Sequence, residues 1–328
     1  ELARVAAPTR VAARDGVLVF GAYDPATRTI ALMKRSSAGS IAPVGVPPIP
    51  AFEVPNEQSG RPASVPPFEL TLGRDSGHRL TAVYRRCTSA ADASCDLVLA
   101  TIATGVERHV ANTAGALRGA VSGVWMAFVK SVPGKADRLY LRHVGRRPMA
   151  LAPPQLGTRL EPRGPRVDLS TARIAAVDIR GRDIAYVVNY RLVTPEIAYS
   201  ELWINRGPGR QRKIGYVATG GASSGFRELL QPRIYPDSVV SYMQGRDQTN
   251  AVFRYSLGGR VLGSGSIGWD RTTGLEITGG QFDRGHFWYS ANPYQGNGCA
   301  PFDEQPLTAT CPVLDSGPVT LVLPEPRR

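Results

Sequence analysis

A short apolar strand closed by an aromatic residue occurs six times along this chain, and no other feature constrains its fold as tightly. The copies are Val17-Leu18-Val19-Phe20, residues 80–84 ending at Tyr84, 124–128 ending at Phe128, Ile184-Ala185-Tyr186, 239–242 ending at Tyr242, and 286–289 ending at Tyr289. Successive closing aromatics are 64, 44, 58, 56 and 47 residues apart, and the path from Tyr289 through the C-terminus round to Phe20 is 59. Six similar intervals that also close on themselves predict a cyclic array of repeats.

The neighbours of each copy repeat too. A turn rich in Gly and Asp precedes it, as in Arg14-Asp15-Gly16, Gly181-Arg182-Asp183 and Phe282-Asp283-Arg284-Gly285. These residues suit tight turns because Gly adopts positive φ freely and Asp accepts local backbone hydrogen bonds. Another short strand lies before most of these turns, such as 68–72 or 174–177, and a third follows the aromatic, such as 30–33, 97–100, 139–142, 202–205, 251–255 and 312–314. A Gly-marked turn and a fourth strand complete the unit, for instance 206–210 and then 213–217. Four antiparallel strands recurring about every 55 residues predict an all-β β-propeller of six four-stranded blades. A single sheet of this kind cannot bury both faces, whereas packing each face on the next blade can. The 328 residues then form a single propeller domain at 1–328, with 35 Gly and 27 Pro supplying the chain punctuation. No amphipathic helical stretch competes, and no apolar run is long enough for a transmembrane helix. Two stretches read as irregular excursions between blades: 43–67, with eight prolines in 25 residues, and 153–170. A seventh blade is allowed if 43–67 hides one, and residues 2–7 either pair with the last blade or form a tail.

The unit "P-D-G or D-G turn, apolar strand ending in an aromatic, L-Y/W-hydrophobic, Gly-rich turn" resembles the TolB-type, WD-repeat-like propeller repeat. The stretches that carry it are 14–20, 235–242, 138–145 and 201–209, and no copy has a full S-P-D-G. The resemblance implies the architecture. In that family the propeller binds a lipoprotein partner in the envelope, and no residue motif for that function carries over.

The net charge of +12 comes from 39 basic residues, all but four of them Arg. The arginines are scattered, with small clusters at Arg85-Arg86, Arg146-Arg147 and 210–213. Without a basic helix or block, a dedicated nucleic-acid module is excluded, while a salt-sensitive attraction to anionic polymers remains. The four cysteines form two local pairs, Cys87/Cys95 and Cys299/Cys311, each bracketing a hairpin loop. Neither pair has zinc spacing, so both read as disulfides formed in an oxidising compartment. The start at Glu1, without a charged and apolar leader, reads as a mature form. A secreted, cell-surface or periplasmic protein is expected.

Motifs for chemistry are weak. Gly221-Ala222-Ser223-Ser224-Gly225 spells G-x-S-x-G but lies in a Gly/Ser loop with no helix to follow it. Residues 263–268 spell G-x-G-x-x-G without the βαβ context a dinucleotide needs. The turn aspartates Asp15, Asp75, Asp183, Asp237 and Asp283 are too widely separated for the six to eight oxygens calcium wants, so they read as turn formers. No metal and no cofactor is expected. His78 and His286 stand at equivalent places beside Asp75 and Asp283 and are the candidates for acid–base pairs, although two pairs related by the repeat also fit plain strand-edge chemistry. His109 and His143 read as structural or exposed. Tyr190, Arg191, Tyr199 and Trp203 flank a long hairpin loop at 191–200, and Tyr294 and Phe302 mark another; long loops carrying aromatics beside Arg are where recognition concentrates. The expected function is a noncatalytic binding scaffold for an envelope or extracellular protein or an anionic polymer. A propeller lyase or hydrolase with its site at the channel mouth, and a self-assembling structural subunit, are the alternatives. Recognition predicts an exposed aromatic-and-arginine patch; catalysis predicts a convergent, titrating polar cluster.

Overall fold

The computed structural model describes the chain except residues 7–8, 53–67, 92–93, 133–134, 152–166, 193–197, 208–209, 220–226, 246–250, 268–274, 294–309 and 323–328. It divides into two compact units, Glu1–Gly119 with Trp269–Pro318, and Ala120–Gly268 with Val319–Arg328.

Unit 1 opens with β1 (Ala3–Val5) and a blade of β2 (Val11–Arg14), β3 (Val17–Asp24), β4 (Thr29–Arg35) and β5 (Ile41–Pro43), with β6 (Ile49–Pro50) also paired to β4. Its next blade is β7 (Leu70–Asp75), β8 (Leu80–Cys87), β9 (Cys95–Thr101) and β10 (Glu107–His109). β11 (Ala116–Gly123) begins in unit 1 and ends in unit 2, where it heads a blade with β12 (Trp125–Val132), β13 (Lys135–His143) and β14 (Met149–Ala150). Two further blades of unit 2 are β15 (Val167–Arg180), β16 (Asp183–Leu192), β17 (Ala198–Asn205) and β18 (Gln211–Thr219), then β19 (Arg227–Ile234), β20 (Ser238–Gly245), β21 (Ala251–Ser256) and β22 (Val261–Ser266). The last blade belongs to unit 1 and consists of β23 (Leu275–Asp283), β24 (His286–Pro293) and β25 (Cys311–Pro318), completed by β1 on its outer side. The fold is therefore an all-β β-propeller; its strands form five sheets among the described residues, because β7 and β11 are hydrogen-bonded neighbours and join two four-stranded groups into one sheet of eight.

The alternation of side chains along a strand explains why so much of each strand is apolar. On β2 and β3, Val11, Ala13, Leu18 and Phe20 face one way and pack with Trp288, Cys311 and Val313. Ala12 and Val19 face the other way and join Leu70, Leu72, Ala82 and Tyr84 of the next blade. Both faces of one sheet are thus buried, each against a different neighbour. The six closing aromatics Phe20, Tyr84, Phe128, Tyr186, Tyr242 and Tyr289 are all buried. They are the second-strand anchors of their blades.

Inner-strand N–H groups that face a neighbouring blade need acceptors, and short polar side chains supply them. Asp178 Oδ2 accepts from Ile234 N–H at 2.9 Å and Asp137 Oδ2 from Ile174 N–H at 2.9 Å, both carboxylates being buried. In unit 1 the Gln281 side chain accepts from Ala13 N–H at 2.7 Å, and Asp283 accepts from Gly16 N–H at 2.8 Å.

Several expectations are refined. Of the stretch read as 2–7, residues 3–5 pair with the last blade: β1 lies beside β25, Ala3 opposite Val313 and Val5 opposite Cys311. Part of the 43–67 excursion is ordered into β6, where Ile49 is buried against the blade because its strand register matches Ile30 on β4. Residues 167–170 belong to β15 instead of a linker. The long hairpin loop at 191–200 is shorter than expected, since β16 runs to Leu192 and β17 starts at Ala198. Gly263 and Gly265 lie within β22, where their missing side chains leave room for the backbone of residues 320–322; this is strand packing, not a phosphate loop. Residues 221–225 lie outside the described residues.

Cys87 and Cys95 stand directly opposite on β8 and β9 and are joined by a disulfide. Cys311 is also disulfide-bonded, and Cys299 lies outside the described residues.

Candidate functional site

The expected acid–base pairs are not formed as written. Asp75 is buried and caps its own turn: Oδ1 accepts from Gly77 N–H (2.9 Å) and Arg79 N–H (3.0 Å), while Oδ2 takes the Arg79 guanidinium at 2.7 Å. Burial pushes this carboxyl up, but the Arg79 side chain and the two N–H groups outweigh it and hold the carboxyl below its ordinary value. His78 is exposed in the left-handed region at φ 59°. Its backbone N–H donates to Asp75 C=O (2.9 Å), and its ring has no side-chain partner among the described residues. Asp283 is used between blades, as above, so His286 finds a different carboxylate: Nδ1 lies 2.9 Å from Asp315 Oδ1 on β25, because β24 and β25 are paired. The His286 ring also meets Trp288 edge to face, with centroids 6.4 Å apart. His109 is exposed on β10.

The other turn aspartates are held by arginines: Asp15 by Arg74 (2.7 Å), Asp183 by Arg206 (3.3 Å) and Asp237 by Arg254 (3.2 Å). Groups of three or more metal-binding side chains are absent among the described residues.

Tyr190, Tyr199 and Trp203 do come together, but around an interior carboxylate. Glu201 is buried and accepts from the Tyr190 hydroxyl, Trp203 Nε1 and Lys213 Nζ, each at 2.8 Å. Tyr199 stacks on Tyr190 with ring centroids 5.6 Å apart. Burial, then the Glu201 charge and hydrogen bond, push the Tyr190 phenol far above its ordinary range, so it stays a donor. Arg191 lies on β16 opposite Ala198, while Tyr294 and Phe302 lie outside the described residues.

An exposed aromatic-and-arginine surface is present elsewhere, in unit 2. Trp125 opens β12 directly opposite His143 on β13, and the two rings meet edge to face at 4.8 Å. Across the ring lies the Arg182 guanidinium, 4.9 Å from the centroid. Arg182 is placed there by its turn: Gly181, at φ 58°, donates its N–H to Ser122 Oγ at 2.9 Å, which ties the β15–β16 turn to the strand before Trp125. His143 Nδ1 donates to the Val144 carbonyl at 2.7 Å; a carbonyl only accepts, so Nδ1 carries the proton. Around this pair the surface is exposed and mixed, with Val124, Val144 and Met149 beside Arg146 and Arg147. Arg182, Arg146 and Arg147 have no carboxylate partner among the described residues. Trp125 lies at a tight turn, outside the long loops in which the sequence places recognition. Its signal in the sequence is a large aromatic at the start of an apolar strand, one residue after the Ser122-Gly123 turn.

A guanidinium this close to an indole is attracted to the ring by cation–π interaction, which does not use its N–H donors. The arrangement suits an anionic or hydroxyl-rich ligand. No protein-family profile matches the chain, and no curated protein matches it. Solved structures do. An arginine-to-alanine triple mutant of AofleA from Arthrobotrys oligospora superposes with a TM-score of 0.53 at 10% identity, covering 90% of this chain and 82% of that one. The likeness is one of fold. A fungal lectin from Aleuria aurantia, described as a six-bladed β-propeller with a novel fucose recognition mode, gives a TM-score of 0.49 at 10% identity over 88% of this chain and 89% of the lectin. SapL1 lectin in complex with α-methyl fucoside gives 0.49 at 9% identity, over 98% and 97%.

Proposed function

We propose that this chain is a noncatalytic binding scaffold, secreted or exposed at the envelope, that recognises an anionic surface polymer. The observation that carries the reading is the Arg182 guanidinium 4.9 Å from the Trp125 ring centroid, with no carboxylate of its own among the described residues. A rigid blade edge thus presents a preorganised cation beside an aromatic ring, at low entropic cost to a ligand. The Cys87–Cys95 disulfide supports an oxidising compartment, and the excess of arginine supports an acidic ligand. The repeat itself we place with TolB-type propellers on its turn-and-strand pattern at 14–20 and 235–242.

Retention of the oxidised protein on immobilised polygalacturonate, heparin and neutral fucosylated glycan tests this. Binding to the acidic polymers is expected, with Arg182→Ala weakening it about tenfold, the scale of one charge-assisted contact. Arg260→Ala, another exposed arginine of unit 2, should do much less. Equal retention on the neutral glycan, unaffected by Arg182→Ala, would overturn the anionic reading.

A further inference from the structure

The β8–β9 hairpin of unit 1 carries a sulfur chemistry that polymer binding does not use. Cys87 ends β8 and Cys95 opens β9, so their disulfide closes the hairpin just before the exposed residues 88–91. The two sulfurs have different surroundings. Cys95 is buried, at 1% exposure, whereas Cys87 is half-buried. Side chains alternate along paired strands, which puts Arg85, Cys87 and Cys95 on one face of the hairpin. There the Arg85 guanidinium donates from Nη2 to Cys95 Sγ at 3.1 Å. Arg86 and Asp96, opposite each other in register, fall on the other face, where Glu107 takes Arg86 at 2.6 Å. The carboxylate coupled to Arg85 is Glu69, which also attracts Arg118 and Arg10. A guanidinium has five N–H donors, so serving a carboxylate does not prevent one of them from staying on the sulfur.

Disulfide exchange needs a thiolate to attack one sulfur and the other to depart, and it is faster when the departing thiolate is stabilised. A positive charge in contact with a thiolate supplies that stabilisation, most strongly where little water screens it. The half-buried sulfur is the one an incoming thiolate reaches, and the buried sulfur is the one with the cation beside it. We infer that Cys87–Cys95 is a thiol–disulfide exchange site for an external dithiol, with Cys87 attacked and Cys95 leaving onto Arg85. One thiol of the reductant loses its proton to solvent and attacks Cys87 Sγ; the Cys87–Cys95 bond breaks and its electron pair stays on Cys95. The second thiol then attacks the reductant's own sulfur in the mixed disulfide and releases Cys87, which takes up the second thiol's proton. Two electrons pass to the protein, and the dithiol becomes a disulfide.

Equilibration of the full oxidised chain with graded ratios of reduced to oxidised dithiothreitol, then acid quenching, alkylation and peptide mass spectrometry, follows each disulfide separately. In the native chain Cys87–Cys95 should open at about a tenfold lower ratio than in Arg85→Met, equivalent to about 30 mV. Arg85→Lys, which keeps the charge, should stay near the native value, and the disulfide of Cys311 should move in neither variant. Two readouts separate this chemistry from a change in hairpin stability. Glutathione, a monothiol, should be trapped on Cys87 and not on Cys95. In the reduced protein, ultraviolet thiolate absorbance should persist to more acidic pH in the native chain than in Arg85→Met. Glutathione on Cys95, or identical opening ratios and thiolate titrations in the native chain and Arg85→Met, would overturn the inference. Should Arg85→Met fail to fold, the position of the glutathione adduct on the native chain decides alone.

Discussion

Single residues in this protein owe their roles to the partners that the fold brings to them. Glu201 satisfies three donors at once, so Glu201→Ala orphans Tyr190 and Trp203 in the interior and should cost about 3 kcal/mol in urea unfolding. Asp75 has a folded-state carboxyl below its ordinary 3.8, so its stabilisation is complete above that value and disappears as pH falls through the depressed one. The stability difference between the native chain and Asp75→Asn should accordingly be level from neutral pH down to about 5 and shrink below about 4. A difference that instead grew on acidification would contradict the turn-cap role. His78 holds a left-handed backbone with an unengaged ring, so His78→Gly should stabilise by about 1 kcal/mol. Loss of stability on that change would reveal a ring contact. The histidine–aspartate spacing readable in the sequence pointed to Asp75 and Asp283; what moved His286 to Asp315 was strand pairing between residues 29 positions apart.

Elements are held in place by pairing within a blade and by acceptors between blades. Asp178 serves the second purpose for β19, and Asp178→Ala leaves the Ile234 N–H buried without an acceptor, a loss of about 1–3 kcal/mol. Hydrogen exchange at the Ile234 amide should accelerate in that variant while amides in β16, within the same blade as Asp178, change far less. At the β8–β9 hairpin the disulfide closes a loop with a sequence separation of 8, and reducing it should cost about 2.5 kcal/mol in the chain-entropy model. The two strands of this hairpin were legible in the sequence, at 80–84 and 97–100. The bounds of the β16–β17 loop were less so: Tyr199 reads as a loop aromatic but is a strand residue stacked on Tyr190, because the cross-strand register sets Tyr190 opposite Tyr199.

For the whole molecule, the first and last strands and the distribution of charge matter most. β1 completes the last blade by pairing with β25, so deleting residues 1–6 should expose the β25 edge and lower the midpoint of unfolding, with exchange protection lost first in β24 and β25. Midpoints unchanged by the deletion would mean that the pairing contributes little. The sequence by itself determined the six repeats, their strand order, their buried closing aromatics and the local cysteine pairing at 87 and 95, because each depends on residues near one another in the chain: periodicity of two, turn chemistry and short loop closure. Only the tertiary structure decided which arginines are neutralised and which are not. Arg74, Arg206 and Arg254 meet turn aspartates, whereas Arg182 meets Trp125, 57 residues away, and Arg118 meets Glu69 from a different blade. Those outcomes follow from how blades pack against their neighbours, and a Coulomb interaction depends on distance in space, which strand spacing along the chain does not report.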